Sequence, residues 1–157
     1  VSSEVVTAID FLPTFARVSD APVPGNRIDG KDILDVARGE APSPHKAFYY
    51  YRMNDLDAVR AGRWKLHVSK WGQEMLELYD LVEDIGETRN LAAEQPNVVA
   101  ELQELLEEAR EDLGDALTGR PGANCRPVGR VENPVPLTVY EEDYPYFAAE
   151  YDLPDRG

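Results

Sequence analysis

The sequence has few of the residues that crosslink small domains or serve as nucleophiles and bases. It contains one cysteine, Cys125, and two histidines, His45 and His67. One cysteine excludes an internal disulfide and says nothing about the redox compartment. No run of 18 apolar residues occurs, so we expect no membrane-spanning helix. Two histidines without a serine or cysteine motif beside them give no support to a nucleophilic triad.

Positive charge is also scarce. The chain has 16 basic against 30 acidic residues, for a net charge of −14. A phosphate backbone would be repelled, so we expect no nucleic-acid partner. An anionic membrane surface is disfavoured for the same reason. The acidic stretch 101–112 is interpreted as the solvated face of a helix.

The N-terminus lacks the features of a secretory leader. Val1-Ser2-Ser3-Glu4 has no basic segment and no apolar segment, and there is no initiator methionine. We therefore expect a chain that begins within a longer protein, whose targeting signals would lie upstream of Val1. The localisation is unknown from this sequence.

A short helix is predicted near the N-terminus. Asp10 is expected to cap it, Pro13 suits its first turn, and it should end near Ser19. A helix of this length needs a packing partner for its apolar side chains, Phe11, Leu12, Phe15 and Val18. Residues 20–46 have a loop composition with a helical turn at 33–37. In that loop, Asp29 is predicted to be a turn residue that uses Gly30 for an unusual backbone angle.

Residues 47–80 have the pattern of a strand meander. The predicted strands are 48–51, 56–60, 63–68 and 75–79, with turns at Asn54-Asp55 and Ala61-Gly62. Along the third strand, apolar and polar side chains alternate, so one face should be buried and His67 should lie on the wet face. A four-stranded antiparallel sheet with one wet face needs a cover on the other.

A helix beginning at Pro96 can provide that cover. Pro96 suits the first turn and Gly114 the position just after the end. Apolar residues recur at helical spacing at Val98, Val99, Leu102, Leu105, Leu106, Ala109 and Leu113. The fold class predicted is α+β, a four-stranded antiparallel sheet covered by a C-terminal amphipathic helix. Residues 115–157, with six prolines and interleaved tyrosines and acids, are predicted to form an extended tail.

Several charged residues invite a functional interpretation. Arg60, Arg63 and Lys65 surround one hairpin, where they can meet an anionic substrate or pair with the chain's own carboxylates. Asp84 and Glu87 are expected to cap a short turn that ends at Asn90, a residue able to adopt a left-handed conformation. The sequence leaves the choice for the three cations open.

The order and spacing of several motifs resemble the C-terminal part of arylsulfatase-type (type I) sulfatases. The helix start of that family is similar to Ile9-Asp10-Phe11-Leu12-Pro13-Thr14, and the Asp-Gly that follows it to Arg27-Ile28-Asp29-Gly30. The strands of the family's C-terminal sheet resemble Phe48-Tyr49-Tyr50, Val59-Arg60, Gly62-Arg63-Trp64-Lys65-Leu66 and Glu77-Leu78-Tyr79-Asp80-Leu81. Residues 113–120 resemble a tail found in some bacterial members.

The resemblance implies that the longer parent protein hydrolyses sulfate esters and that the catalytic residues lie outside this segment. Sulfatases of this type hydrolyse sulfate esters with calcium and a formylglycine made from cysteine in a Cys-x-Pro-x-Arg motif. Cys125 precedes Arg126-Pro127-Val128-Gly129-Arg130, where the arginine comes one place late and no helix follows, so we interpret it as a decoy. No catalytic residue and no metal ligand of the family maps onto this chain. We therefore expect no cofactor in it, and His45 is the one candidate to border the substrate cleft.

Two hypotheses follow. In the first, the chain is an inactive C-terminal fragment of a sulfatase whose partner is the missing N-terminal domain. Residues 1–46 then end the large α/β domain, with its leftover helix and a linker, 47–114 form the C-terminal subdomain, and 115–157 the tail. The segment would be structural and would wall the substrate cleft. In the second, the chain is a stand-alone acidic interaction module derived from that subdomain.

Overall fold

The computed structural model describes residues 3–126 and Glu132, and an antiparallel sheet lies at its centre. The strands are β1 (Phe48–Arg52), β2 (Asp55–Ala61), β3 (Trp64–Lys70) and β4 (Gln73–Asp80). They lie in the order β1-β2-β3-β4, each beside its neighbour in sequence. All three neighbouring pairs are antiparallel, which confirms the predicted four-stranded meander. Antiparallel strands can be joined by short hairpin turns, so consecutive strands pair.

Three helices accompany the sheet. They are α1 (Phe11–Val18), α2 (Leu34–Arg38) and α3 (Pro96–Asp112), and single 3-10 turns occupy Ala8–Asp10 and Ala116–Thr118. Pro96 stands in the first turn of α3, where its missing N–H leaves no bond unmade. Gly114, with φ of 88°, ends the helix in the left-handed conformation that glycine adopts without strain.

The core lies between α3 and one face of the sheet. Leu102 and Leu106 are 3% and 0% exposed, as the helical spacing predicts. The residues that meet there are Val99, Leu102, Leu105, Leu106 and Ala109 from α3, and Leu56, Val59, Leu66 and Leu78 from the strands. Burial of these branched side chains stabilises a helix and a sheet that would not persist separately.

The hairpin turns differ by one residue from the prediction. Arg52 pairs with Asp55, and Ala61 pairs with Trp64. The turns are therefore Met53-Asn54 and Gly62-Arg63 rather than Asn54-Asp55 and Ala61-Gly62. A third turn, at Trp71-Gly72, joins β3 to β4. The register is set by which residues face α3, and this outweighs local turn propensity.

The loop after β4 protects the edge of the sheet. The side chain of Asn90 accepts from Leu78 N and donates to Leu76 O, at 3.0 and 3.1 Å. These bonds occupy backbone groups that an edge strand would otherwise offer to another chain. Asp84 accepts from Thr88 N at 2.7 Å and so stabilises the turn as predicted. The predictions for Glu87 and Asn90 were wrong. Glu87, and not Asn90, has the left-handed conformation, with φ of 54°. The Glu87 carboxylate bonds to Lys65 and His67 instead of capping the turn.

The start of the predicted tail has structure of its own. Asp115 and Arg120 form a β-bridge, and the Asp115 carboxylate accepts from Leu117 N at 3.1 Å and from Arg110 Nε at 3.0 Å. Residues 1–125 form one unit and 126–157 a second. Apart from Arg126 and Glu132, the second unit lies outside the described residues. The prediction of an extended tail over 115–157 can therefore be compared with the structure only for residues 115–126 and Glu132.

Among the described residues, no helix has the length and apolar character that crossing a bilayer requires.

Candidate functional site

Asp10 is the centre of the polar contacts that join the N-terminal helix to the loop before the sheet. Its side chain has no exposed surface. The carboxylate accepts from Thr7 N at 2.8 Å and from Lys31 N at 2.9 Å, and His45 Nε2 lies 2.8 Å from Oδ1. Three segments far apart in sequence therefore meet at one buried carboxylate.

Asp10 occupies the N-cap position predicted for it, but without the capping bond that the prediction implies. The carboxylate points away from α1 because the 3-10 turn at Ala8–Asp10 lets it bond back to Thr7. Burial by itself raises the pKa of Asp10, whereas the bonds from Lys31, Thr7 and His45 lower it, and the net pKa is below its usual value.

The contact between α1 and the loop explains Gly30. A Cβ atom at this position would lie 1.9 Å from the carbonyl oxygen of Ile9. Gly30 is needed for this close approach and not for the unusual backbone angle predicted from Asp29-Gly30, because its φ is not positive. Thr14 adds a second link, since its hydroxyl accepts from Ile33 N at 3.0 Å.

His45 lies at the edge of an open groove. Its side chain is 8% exposed, and its backbone N donates to the Ser43 hydroxyl. Because Nε2 faces a carboxylate, Nε2 carries the proton and the ring is fixed in orientation. The groove has a volume of about 630 Å³, and its lining includes His45, Arg60 and Arg63, the acidic residue Glu4, and the apolar residues Val5, Val82 and Ile85.

The three cations near this hairpin have different partners. Arg63 makes a two-pronged ion pair with Asp80, with its Nε 2.8 Å from Oδ1. Lys65 Nζ lies 2.6 Å from Glu87 Oε1. Among the described residues, Arg60 donates to the carbonyl oxygens of Gly62 and Ser3, at 3.3 and 3.4 Å.

The sequence left open whether these three cations pair with the chain's own carboxylates or can meet an anionic substrate, and the answer differs between them. Arg63 and Lys65 pair with the chain's own carboxylates. Arg60 has no carboxylate partner among residues 3–126, although the chain carries a net charge of −14. An arginine in a groove with only two long bonds to carbonyl oxygens retains the capacity to bind an anion. No sequence pattern separates Arg60 from its neighbours, because the difference depends on which carboxylates lie within reach.

The other histidine belongs to a different cluster. His67 lies on the face of the sheet opposite α3, as predicted, but it is not a free surface residue. Its Nε2 lies 3.0 Å from Glu87 Oε2, and its ring packs edge-on against Tyr79. Burial raises the pKa of Glu87, but the bonds to Lys65 and His67 lower it below its usual value. We interpret this cluster as the anchor of the loop that follows β4.

Helix α1 has one face that no other described residue covers. Phe11 and Phe15 stack with their ring centroids 5.6 Å apart, yet they are 52% and 63% exposed. The neighbouring side chains that are also exposed are Ile9, Leu12 and Val18. Apolar residues grouped in this way on a surface typically mark an interface.

The described residues do not fit a metal centre or a formylglycine site. Within residues 3–126 and Glu132, no group of three or more His, Cys, Asp or Glu side chains could hold a metal ion. Calcium needs several oxygen ligands around one point. Cys125 is exposed, and the residues after Arg126 in its motif lie outside the described residues.

A comparison with protein families matches residues 1–112 to the model described as N-sulphoglucosamine sulphohydrolase, C-terminal. Human arylsulfatase A is 28% identical over 155 residues, which cover 80% of this chain and 30% of arylsulfatase A. An uncharacterised sulfatase of Schizosaccharomyces pombe is 34% identical over 116 residues, covering 66% of this chain and 21% of that protein. An arylsulfatase of Hemicentrotus pulcherrimus is 43% identical over 68 residues, covering 43% of this chain and 12% of that enzyme.

Solved structures share the fold. A protein from a study of glycosaminoglycan metabolism by Bacteroides thetaiotaomicron superposes with a TM-score of 0.52 at 28% identity, over 64% of this chain and 24% of that one. A protein in complex with its substrate D-glucosamine-2-N,6-O-disulfate also gives 0.52, at 25% identity, over 73% of this chain and 25% of that one.

The chain thus spans less than a third of the length of the curated relatives it matches. These matches favour the hypothesis of a sulfatase C-terminal region over that of a stand-alone acidic module.

Proposed function

This chain belongs to the sulfatase family through its C-terminal domain, and from that premise we propose that it is the C-terminal part of a sulfuric ester hydrolase. In this proposal the chain has two tasks. It packs against the α/β domain that precedes it in longer relatives, and it forms one wall of the cleft that receives the sulfate ester. The chain by itself is inactive.

The observation that carries the proposal is the uncovered face of α1. Phe11, Leu12 and Phe15 are each more than half exposed, although the helix is attached to the rest by a buried carboxylate and a glycine contact. A helix fixed so firmly on one side and left apolar on the other is suited to a second packing partner. The preceding domain of a longer sulfatase is the natural partner, since α1 and residues up to 46 would complete it.

The groove beside His45 supports the second task. Arg60 offers an anion-binding guanidinium, and His45 is held by Asp10 with its other ring nitrogen free of any partner among the described residues. A sulfate ester, or another anionic group on the same substrate, suits the Arg60 guanidinium, and Nδ1 of His45 can accept a hydrogen bond from a substrate hydroxyl. Asp10 is in this proposal a positioning residue, because it acts through His45.

Calcium and formylglycine, which the family uses, are supplied from outside this chain. In the intact enzyme, a calcium ion would neutralise charge on the sulfate group and a formylglycine would provide the nucleophile. The contribution of this segment is to orient the substrate, and no step of the reaction is assigned to its side chains.

The first test is the coding sequence. An in-frame Cys-x-Pro-x-Arg upstream of Val1 supports the proposal, and a start codon immediately before Val1 contradicts it. The second test uses the intact protein and measures KM and kcat for an aryl sulfate in an Arg60→Gln variant. Loss of a hydrogen bond to a charged group should raise KM about 10-fold or more.

Arg38→Gln is the matched control, because Arg38 is an exposed arginine that has no ion pair among the described residues and does not line the groove. It should leave KM unchanged. A fall in the unfolding temperature of Arg60→Gln without any change in KM would mean that Arg60 contacts the preceding domain instead of the substrate.

A further inference from the structure

Two hairpin tips lie at the end of the sheet away from the groove. They are the turns Met53-Asn54 and Trp71-Gly72, whereas the groove is next to the turn Gly62-Arg63. Strand β2 runs from one end to the other, a distance of about 20 Å for its length. The tips are therefore too remote to belong to the groove.

Each tip presents a large apolar side chain in a backbone conformation that such residues avoid. Trp71 is 75% exposed with φ of 57°, and Met53 is 90% exposed with φ of 56°. Asparagine, aspartate or glycine would occupy these turn positions with less strain. An exposed indole held in an unfavourable conformation adds nothing to the core, and such outliers point to a function.

The indole is also braced from behind. The guanidinium carbon of Arg52 lies 5.5 Å from the centroid of the Trp71 ring. Arg52 in turn donates to Asp55 at 2.6 Å, and its Nε lies 3.6 Å from a carboxylate oxygen of Asp57. The buried Ser69 hydroxyl donates to Asp57 and completes the chain of contacts. Asp55, Asp57 and Ser69 thus hold Arg52 in place, and Arg52 supports an indole that is itself mostly in solvent, as in a preorganised binding site.

We propose that Trp71 is a stacking platform for a saccharide ring. Arg52 already occupies one side of the indole as a cation, so a cationic ligand would compete with it. The C–H face of a pyranose can stack on the open side, because these weakly positive hydrogens complement the electron-rich ring. The exposed side chains of Asn54, Lys70 and Gln73 next to the two turns can hydrogen-bond the hydroxyls.

A protein partner fits this surface less well. A stable protein interface buries about 800 Å² on each side, and two turns with one tryptophan and one methionine offer much less. The surface matches one or two sugar rings in size. The proposal goes beyond sulfate ester hydrolysis and does not rest on it, since it concerns the opposite end of the sheet.

The test uses tryptophan fluorescence of the full chain. Trp64 and Trp71 are its two tryptophans, so Trp64→Phe leaves Trp71 as the reporter. The probes are cellohexaose, isomaltohexaose and a sulfated dextran oligosaccharide of similar length. Binding of at least one probe should shift the Trp71 emission to the blue, because the ring covers an exposed indole.

Affinity is measured separately by calorimetry on the unmodified chain and on Trp71→Ala and Trp71→Phe. Trp71→Ala should weaken binding about tenfold and Trp71→Phe should retain part of it. Val23→Ala, which truncates a side chain 49% exposed in the loop between α1 and α2, should bind as the unmodified chain does. Circular dichroism should show that all three variants are folded, since neither position is buried.

Three results would overturn the proposal. One is no binding of any probe up to about 10 mM, where even weak stacking is detectable. Another is binding that Trp71→Ala leaves unchanged. This includes the case in which only the sulfated probe binds, the variant does not weaken its binding and added salt abolishes it. The third is self-association of the chain that depends on Trp71, which would make the tips a protein interface.

Discussion

His45 Nε2 lies 2.8 and 3.0 Å from the two carboxylate oxygens of Asp10, a residue with no exposed surface. The contact joins the segment just before β1 to the turn that opens α1, 35 residues earlier. Because the same carboxylate binds two backbone N–H groups, this side chain helps to hold the N-terminal helix against the rest of the unit, together with the link from Thr14 to Ile33.

Replacing Asp10 should therefore destabilise the chain. Asp10→Ala leaves two partly buried backbone N–H groups and an imidazole without an acceptor, and we expect a loss of about 3 kcal/mol in the free energy of unfolding. Urea denaturation followed by circular dichroism measures this loss. Asp20→Asn is the control, because Asp20 is exposed and asparagine tolerates its φ of 52°. A loss below about 1 kcal/mol would contradict the role assigned to Asp10.

The Asp10 carboxylate should make the free energy of unfolding depend on pH. The pKa of Asp10 is lower in the folded chain than its value near 3.9 in unfolded chains. A lowered folded pKa stabilises the fold above the unfolded value, and this contribution is lost as the pH falls through the folded value. Unfolding free energies measured from about pH 6 to pH 2 should fall less steeply in Asp10→Asn than in the unmodified chain. Parallel curves for the two proteins would show that Asp10 does not keep its charge at low pH.

The sequence predicts the elements that have a regular apolar repeat, but not the contacts between segments far apart in the chain. The sheet and α3 were predictable because Leu66 and Leu106 belong to regular apolar repeats, of period 2 and 3.6. The turn positions failed by one residue, since the pairing of Ala61 with Trp64 depends on packing against α3. Asp10 and Arg60 look ordinary in sequence. What distinguishes them is the number of partners within reach, and that depends on contacts between segments distant in the chain.

Gly30 gives a test of how closely α1 approaches its neighbour. Gly30→Ala places a Cβ atom 1.9 Å from Ile9 O, so one segment must move, and we expect a loss of about 1–3 kcal/mol in the free energy of unfolding. Gly25→Ala is the matched control, because a Cβ atom there meets nothing within 4 Å. The two variants are compared by thermal unfolding. Equal unfolding temperatures would mean that the approach of the loop to Ile9 is not needed for stability.

The uncovered face of α1 should bind hydrophobic dyes. We expect stronger fluorescence of an anilinonaphthalene dye with this chain than with a compact protein of similar size, because Phe11 and Phe15 are more than half exposed. The double change Phe11→Ser and Phe15→Ser should lower the dye signal with little loss of stability. Leu106→Ala, which removes a fully buried side chain, should instead cost about 2–5 kcal/mol. Dye binding that the double change does not alter would place the apolar surface elsewhere.

The chain by itself should hydrolyse no aryl sulfate, with or without calcium. The chemistry of the family needs an oxidised cysteine at a helix start, a metal beside it and donors for the departing charge. Among the described residues, no cluster of metal ligands accompanies Cys125, which is exposed. The assay follows release of a chromogenic phenol and includes Cys125→Ala as the control. Both proteins should give the rate of buffer alone, because the described residues supply neither a metal site nor a cysteine at a helix start. Calcium-dependent turnover that Cys125→Ala abolishes would show that the motif at Cys125 is active, and it would remove the reason for placing catalysis in a preceding domain.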